Sequence, residues 1–430
     1  MFLKNSKNFL FFLFFLTISS VTMSADKEFP YTWTPETNVP DWAFFRAEGR
    51  TLVESLPHAM AYCTKAARMK KTAPIEEIQY FRAAEETIKS LGQKRSPAQE
   101  TVLAKFGMVG DIMWIRQGWT DFLDQRLSNY MQGWDFWLGN LETPIATSVR
   151  VPHLLPDTRW FNSAPELLTS FSRKDGTNLF AAVGFSNNHV LDQGPVGISE
   201  TLAFLEQLKV LTSGSRLKAQ DKPYVTFSKN GVKFGFYSAG WGLNDPPSLL
   251  KSPYPINVVP GLAPPQPLEK VDISQIKSVL SDMSQEGCDI KIISLHWGHE
   301  HELFPSPVQM QLARKIVESG ADIIMGHHPH VVQPFEILPV NGYSEFPSKV
   351  MLHDGAGKPR KALILYSLGN FSTAMNACYE VQVGQTIVVE VIKRADGSID
   401  WNLKDAEQVY NEPKDPSTGH LKLMLLRDHK

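Results

Sequence analysis

Five times along this chain a short apolar run stops at a side chain of the kind that binds cations. "KFGMVGD" ends at Asp111, "WDFWLGNLE" at Glu142, "LFAAVGFSNNH" at Asn188 and His189, "DIKIISLH" at His296, and "ADIIMGHHPH" at His328 and His330. Continuous apolar runs of this length read as strands covered on both faces. Amphipathic stretches lie between them. "GISETLAFLEQL" sets Ile198, Leu202 and Leu205 on one face, and residues 272–286 carry Ile276, Val279, Leu280 and Met283 at helical spacing. Alternation of this kind predicts an α/β fold. Because loops at the carboxyl ends of such strands converge, the polar endings describe one site rather than five.

The remaining organisation follows from local signals. "APIEEIQYFRAAEETIKSLGQ" opens on Pro74 and predicts a helix within a helical N-terminal extension, residues 26–102. "YVTFSKNGVKFGFYSAG" is a β-hairpin, with Asn230-Gly231 supplying the positive φ angles of a two-residue turn. Residues 243–267 are Pro-rich and read as a long loop, more a solvated insertion than a cover for the site. The main domain spans 103–394, and 395–430 reads as a closing strand and polar tail. Upstream, Lys4 and Lys7 precede an apolar block from Phe9 to Leu16 and a small-residue stretch ending near Ala25. That is the layout of a cleaved signal peptide, residues 1–25, and the block is short for a spanning helix. The chain is therefore expected to be exported, to the periplasm or cell envelope. A formal net charge of -2 leaves no electrostatic footprint for nucleic acid. The three cysteines, Cys63, Cys288 and Cys378, have no zinc-ligand spacing and read as inert thiols.

Six of the 12 histidines fall between 296 and 330, so the chemistry is concentrated there. In "GHHPH", Gly326 permits a tight turn and Pro329 stiffens the backbone between His328 and His330, allowing both imidazoles to reach one cation. "SLHWGHEHE" lacks both H-E-x-x-H and H-x-x-E-H spacing, which excludes the helical zinc-protease pattern. His296 is its inward residue; His299 and Glu300 are placed to line a pocket, with His301 either beside them or in a solvated loop. "GNLETP" contributes Asn140 and Glu142. In "FSNNHVLDQG", Asp192 or Ser186 reads as a helix cap, leaving Asn188 and His189 for the site. Asp, Glu, Asn and several His together form a mixed oxygen and nitrogen set suited to Zn, Mn or Fe rather than Ca or Mg.

In order, "GDIM", "GNLETP", "SNNHVLDQG", "SLHWGHEH", "GHHPHVVQP" and "YSLGNF" resemble the signature blocks of the CapA family of bacterial capsule or poly-γ-glutamate synthesis proteins, within the calcineurin-like metallophosphoesterase superfamily. The resemblance covers roughly residues 104 to 393. It implies a four-layer α/β/β/α sandwich with a dinuclear metal site, and a divalent transition metal, two ions of Mn, Zn or Fe, as cofactor. Carried over residue by residue, it makes Asp111, Glu142, Asn188, His296, His328 and His330 metal ligands and His189 the catalytic group, with Asn140, His299, Glu300 and Asn370 toward the substrate. Asn370 and Glu300 belong to the rim in this reading. The superfamily's first motif is D-x-H, and Met113 stands at its histidine; His327 is an open candidate for the missing ligand. The resemblance implies metal-assisted hydrolysis or transfer on an envelope polymer or small molecule, beside other capsule-synthesis membrane proteins. A phosphoesterase and a non-catalytic polymer assembly protein are the alternatives.

Overall fold

The computed structural model describes residues 73–93, 100–113, 121–149, 161–244, 251–263, 267–343, 346–350, 352–354, 357, 359–375, 378–415 and 420–429. The leader segment 1–25 and Cys63 lie outside these. Among the described residues no helix is long and apolar enough to cross a membrane.

The elements run α1 (Ile75–Gln93), β1 (Thr101–Ile112), α2 (Gln125–Gln132), β2 (Phe136–Leu141), α3 (Glu166–Thr169), β3 (Phe180–Gly184), α4 (Gly194–Gln207) and β4 (Leu211–Ser213). There follow β5 (Tyr224–Lys229), β6 (Val232–Gly240), α5 (Ser274–Gln285), β7 (Ile290–His296), α6 (Pro307–Glu318) and β8 (Ile323–His327). The last are β9 (Phe335–Leu338), β10 (Ala362–Leu365), β11 (Asn370–Ser372), β12 (Val383–Lys393), β13 (Ile399–Asp415) and β14 (His420–Leu425). One sheet has the order β14-β13-β12-β1-β2-β3-β4 with β11 also paired to β1; the other has the order β5-β6-β7-β8-β10-β9. Strands β1 to β4 are mutually parallel, as are β6, β7, β8 and β10.

Side-chain alternation explains the layering. On β7, Ile290 and Ile292 join Phe106, Met108, Leu138 and Phe234 in a core between the sheets, whereas Ile293 and Leu295 face the opposite way onto α5 and α6. On β2, Phe136 and Leu138 point inward and Trp137 and Leu141 pack with Leu127, Met131, Ile198 and Leu205 of α2 and α4. With both faces covered, each strand buries alternate side chains in different cores, which is why the runs read as continuously apolar. The result is the four-layer α/β/β/α sandwich.

Local signals act as expected at several ends. Asn230 and Gly231 take φ of 51° and 82° in the hairpin turn between β5 and β6. Ser306 caps α6 by accepting from the Gln309 N–H, and Pro307 occupies the first turn. Two segments differ from the sequence reading. Helix α1, in the preface, is built into the outer core of the second sheet. Its Tyr80 is fully buried, contacts Glu336, and accepts from Arg314 Nη2 at 2.5 Å, while Arg314 Nη1 lies 2.5 Å from Glu336 Oε1 and Tyr366 donates to the same oxygen at 2.6 Å. Residues 399–425, read as a closing strand and tail, supply two strands that extend the first sheet beyond β12. Their mixed polar sequence reflects an edge with one exposed face.

Candidate metal centre

The parallel strands of the two sheets end side by side, and the ligand-type residues meet there. Asp111 closes β1, Glu142 follows β2, and Asn187, Asn188 and His189 follow β3; from the other sheet come His296 at the end of β7 and His327, His328 and His330 at and after β8. All are buried. Close backbone approach makes this convergence possible: a β-carbon at Gly326 would fall on the Tyr366 carbonyl oxygen, and one at Gly110 on that of Gly369.

The polar geometry is dense. Asp111 Oδ1 accepts from Asn140 Nδ2 at 2.8 Å, and its Oδ2 accepts from the His328 backbone N–H at 3.1 Å. His330 Nδ1 lies 3.6 Å from Asp111 Oδ2, and His330 Nε2 lies 3.8 Å from Glu142 Oε1. His296 Nε2 faces Asn188 Oδ1 at 2.8 Å and Glu142 Oε1 at 3.4 Å. Among the described residues there are three sets in each of which the potential ligand atoms lie within 4.8 Å of one another: Glu142, His296 and His328; Asp111, Glu142 and His330; and Glu300, His328 and His330. Glu142 belongs to the first two sets, so its carboxyl stands between them.

These residues fit a cation. Among the described residues neither Glu142 oxygen nor His328 Nδ1, all buried, has a hydrogen-bond partner, an arrangement that costs free energy unless something electropositive faces the oxygens and a Lewis acid the nitrogen. Burial first, then the charge of Asp111, raises Glu142 well above the usual carboxylate range. Burial would also raise Asp111, but the hydrogen bond and charge of His327, with the charges of His296 and His330, outweigh it and hold that group low. The two neighbouring acids are thus pushed in opposite directions, the pattern of carboxyl groups sharing too little positive charge. Burial depresses His296 and His328, reinforced at both by neighbouring imidazoles and opposed at His296 by the charge of Asp111; the net shift favours the unprotonated ring that a cation requires.

Backbone strain gathers at the same place. Among the described residues, five that are not glycine have positive φ, and three of them are His301 (62°), His328 (97°) and His330 (58°). Each is expected to cost about 1–3 kcal/mol and persists only where the surroundings enforce it. The His301 N–H donates to the Pro329 carbonyl at 2.8 Å, hooking the loop after β7 onto the turn that carries His328 and His330.

Several expectations change on contact with the geometry. Asn370 is not at the rim. It is fully buried, its Oδ1 lies 3.0 Å from His330 Nδ1 and its Nδ2 donates to the Val381 carbonyl at 2.8 Å, so it holds that imidazole from beneath. Asn140 is likewise turned inward, between Asp111 and His296 Nδ1 at 3.3 Å, rather than toward a substrate. Glu300 and His299 are half-buried on the loop after β7; Glu300 joins a ligand set and His299 joins none. His301 is buried, not solvated. His327 lies 3.2 Å from Asp111 Oδ1 but in none of the three sets, so it supports Asp111 rather than replacing the histidine absent at position 113. Met113 is itself buried, its Sδ 3.3 Å from Thr373 Oγ1.

Asp192 is not a helix cap. The cap position of α4 is Gln193, without a side-chain bond, and Ser186 donates instead to the Asn257 carbonyl at 2.5 Å. Asp192 Oδ2 receives His189 Nδ1 and the Phe161 backbone N–H, each at 2.7 Å, and the Phe161 ring stacks on His189 with centroids 3.7 Å apart. The H-x-x-D spacing in a turn was the available signal for that pair.

The family model for "Bacterial capsule synthesis protein PGA_cap" matches residues 97–375. The chain is similar to the capsule biosynthesis protein CapA of Bacillus anthracis, 28% identical over 272 residues that cover 61% of this chain and 58% of that one. It is similar to the PGA biosynthesis protein CapA of Bacillus subtilis strain 168, 28% identical over 277 residues and 61% of each chain. The match thus spans about three fifths of the length of these relatives. Among solved structures, a phosphatase from Mycoplasma pneumoniae shares 10% identity at a TM-score of 0.37 over 72% of this chain and 93% of that one, too weak a likeness to bear on the chemistry. Block order, ligand-bearing strand ends and the extent of the family match agree, and the chain belongs to the PGA_cap family of bacterial capsule synthesis proteins.

Proposed function

We propose that this protein serves the synthesis of a capsule or poly-γ-glutamate-type envelope polymer as a metal-dependent hydrolase or transferase, working outside the cytoplasm. The observation that carries the reading is the Glu142 carboxyl, buried without a hydrogen-bond donor between two sets of ligand atoms. Asp111, Glu142, Asn188, His296, His328 and His330 would hold a divalent transition metal, with Mn, Zn or Fe suited to the donors and two ions suited to the shared position of Glu142. Bound there, such cations supply Lewis-acid polarisation and water of lowered pKa.

The chain's own residues do the rest. Asp192 accepts the Nδ1 proton of His189, which fixes the tautomer and leaves Nε2 to exchange a proton with the leaving atom of a substrate. Phe161 covers one face of that ring and keeps water from it. Asn370 orients His330, and His327 and Asn140 orient Asp111. The names of the Bacillus relatives support a γ-glutamyl or other envelope polymer as substrate, in the company of other capsule-synthesis membrane proteins. A second reading, polymer assembly without catalysis, draws on the thioether of Met113 where the superfamily has an imidazole.

Metal content of the protein purified without chelator, beside a His328→Ala/His330→Ala double variant, tests the proposal. About two equivalents of transition metal in the wild type, lost in the variant, are expected for a two-ion site. No uptake after addition of Mn or Zn would leave only the assembly reading. Assays on γ-glutamyl polymers and on phosphate esters then separate amide from phosphoester chemistry.

A further inference from the structure

The segment after β6 enters the site. The Trp241 backbone N–H donates to the His296 carbonyl at 3.1 Å, and the Trp241 ring stands 5.8 Å from that of His328. Three residues on, the Asn244 backbone N–H donates to the Asn188 carbonyl at 3.1 Å, and Asn244 Oδ1 accepts from Asn188 Nδ2 at 3.0 Å. Asn244 Nδ2 lies 3.4 Å from both ring nitrogens of His189. Asn244 is the second residue of the stretch that reads in sequence as a Pro-rich insertion.

We propose that Asn244 is a positioning residue that fixes the orientation of the Asn188 side chain and thereby one metal-ligand position; the inference rests on the metal-dependent reading above. A side-chain amide presents an acceptor on one side and a donor on the other, and only the oxygen can bind a cation. Asn188 Oδ1 points at His296 Nε2, 2.8 Å away and beside Glu142, only while its Nδ2 has an acceptor on the far side. Asn244 Oδ1 is that acceptor. A flipped Asn188 would offer N–H groups to the cation and to His296. Through its own Nδ2 the same residue flanks His189, so a single side chain from the second sheet sets both consecutive residues of the Asn188-His189 pair.

The test compares wild type, Asn244→Ala and Asn244→Asp for Mn and Zn binding by titration calorimetry and metal analysis, with thermal melts to establish folding. Asn244 is half-buried at the site's edge, and both variants are expected to fold. Asn244→Ala is expected to weaken the cation next to Asn188 by about 10- to 100-fold, the usual range for a residue behind a ligand. Asn244→Asp retains an acceptor for Asn188 Nδ2 and is expected to recover most of that affinity, a rescue that loss of packing alone would not give. Wild-type affinity in Asn244→Ala, beside a wild type that holds metal, would overturn the inference and leave the metal centre standing. Equal losses in the Ala and Asp variants would also overturn it. Failure of all three proteins to bind metal would overturn both readings together.

Discussion

Glu142→Gln is expected to change the protein's stability in opposite directions with and without metal. In chelator, the wild type buries two neighbouring carboxyl groups, and Glu142 has no donor for either oxygen. Gln has nearly the same shape, carries no charge and brings two N–H donors next to Asp111. A buried polar group left without a partner costs about 1–3 kcal/mol, so relief of that cost sets the scale. In larger domains about 1 kcal/mol moves the melting temperature by about 2–4 °C, which makes the chelated variant a few degrees more stable than wild type. With metal the order reverses. A cation at about a hundredfold excess over its Kd adds about 2.7 kcal/mol to a protein that binds it when folded, and the variant forfeits most of this because Glu142 belongs to two of the three ligand sets. Calorimetric melts of both proteins, in EDTA and in excess Mn or Zn, give the four values needed. If Gln lowers the melting temperature in chelator, or if both proteins gain equally from metal, Glu142 does not face a cation and the reasoning is wrong.

Two other expectations follow from buried charge. Burial depresses His296 and His328, so the unfolded chain takes up protons before the folded one does; in chelator, stability should fall as pH drops through the ordinary histidine value of 6.5. Urea midpoints across that value check it, and a flat profile would count against buried neutral rings. Arg314→Met should destabilise by about 3–5 kcal/mol, because it leaves Glu336 buried without its cation. Denaturant titration of this variant and of Arg314→Met/Glu336→Leu decides the matter: the double variant should regain much of the loss, and a single variant as stable as wild type would show the pair to be dispensable.

The sequence carries the strand ends plainly, because a doubly covered strand must be apolar until it leaves the sheet, and its first polar residue marks the exit. Asp111, Glu142, Asn188, His296, His328 and His330 all lie within four positions of such a strand end. What it does not carry is direction at right angles to the strand. Asn140 and Asn370 stand on the two strands that flank the end of β1, and their register opposite Asp111 turns both inward beside it. Positive φ at His301 depends on the hook to Pro329 in another loop, which no local pattern announces. Asn244 is a further case: 56 positions separate it from Asn188, and only the pairing of the sheets brings them together. The C-terminal strands escaped for an opposite reason, since an edge with one wet face looks like a tail.

The division of ligands between the sheets has a consequence for how the protein matures. Asp111, Glu142 and Asn188 come from the first half of the chain and His296, His328 and His330 from the second, and the His328 N–H reaches Asp111 across 217 positions. Contacts of such separation close a long loop and form more slowly than local ones. A molecule with only its second half ordered can bring Glu300, His328 and His330 together, but both sets that contain Glu142 require the two halves. Neither Glu142 set exists until the halves dock, and on the metal-dependent reading proposed above, metal retention would report that docking.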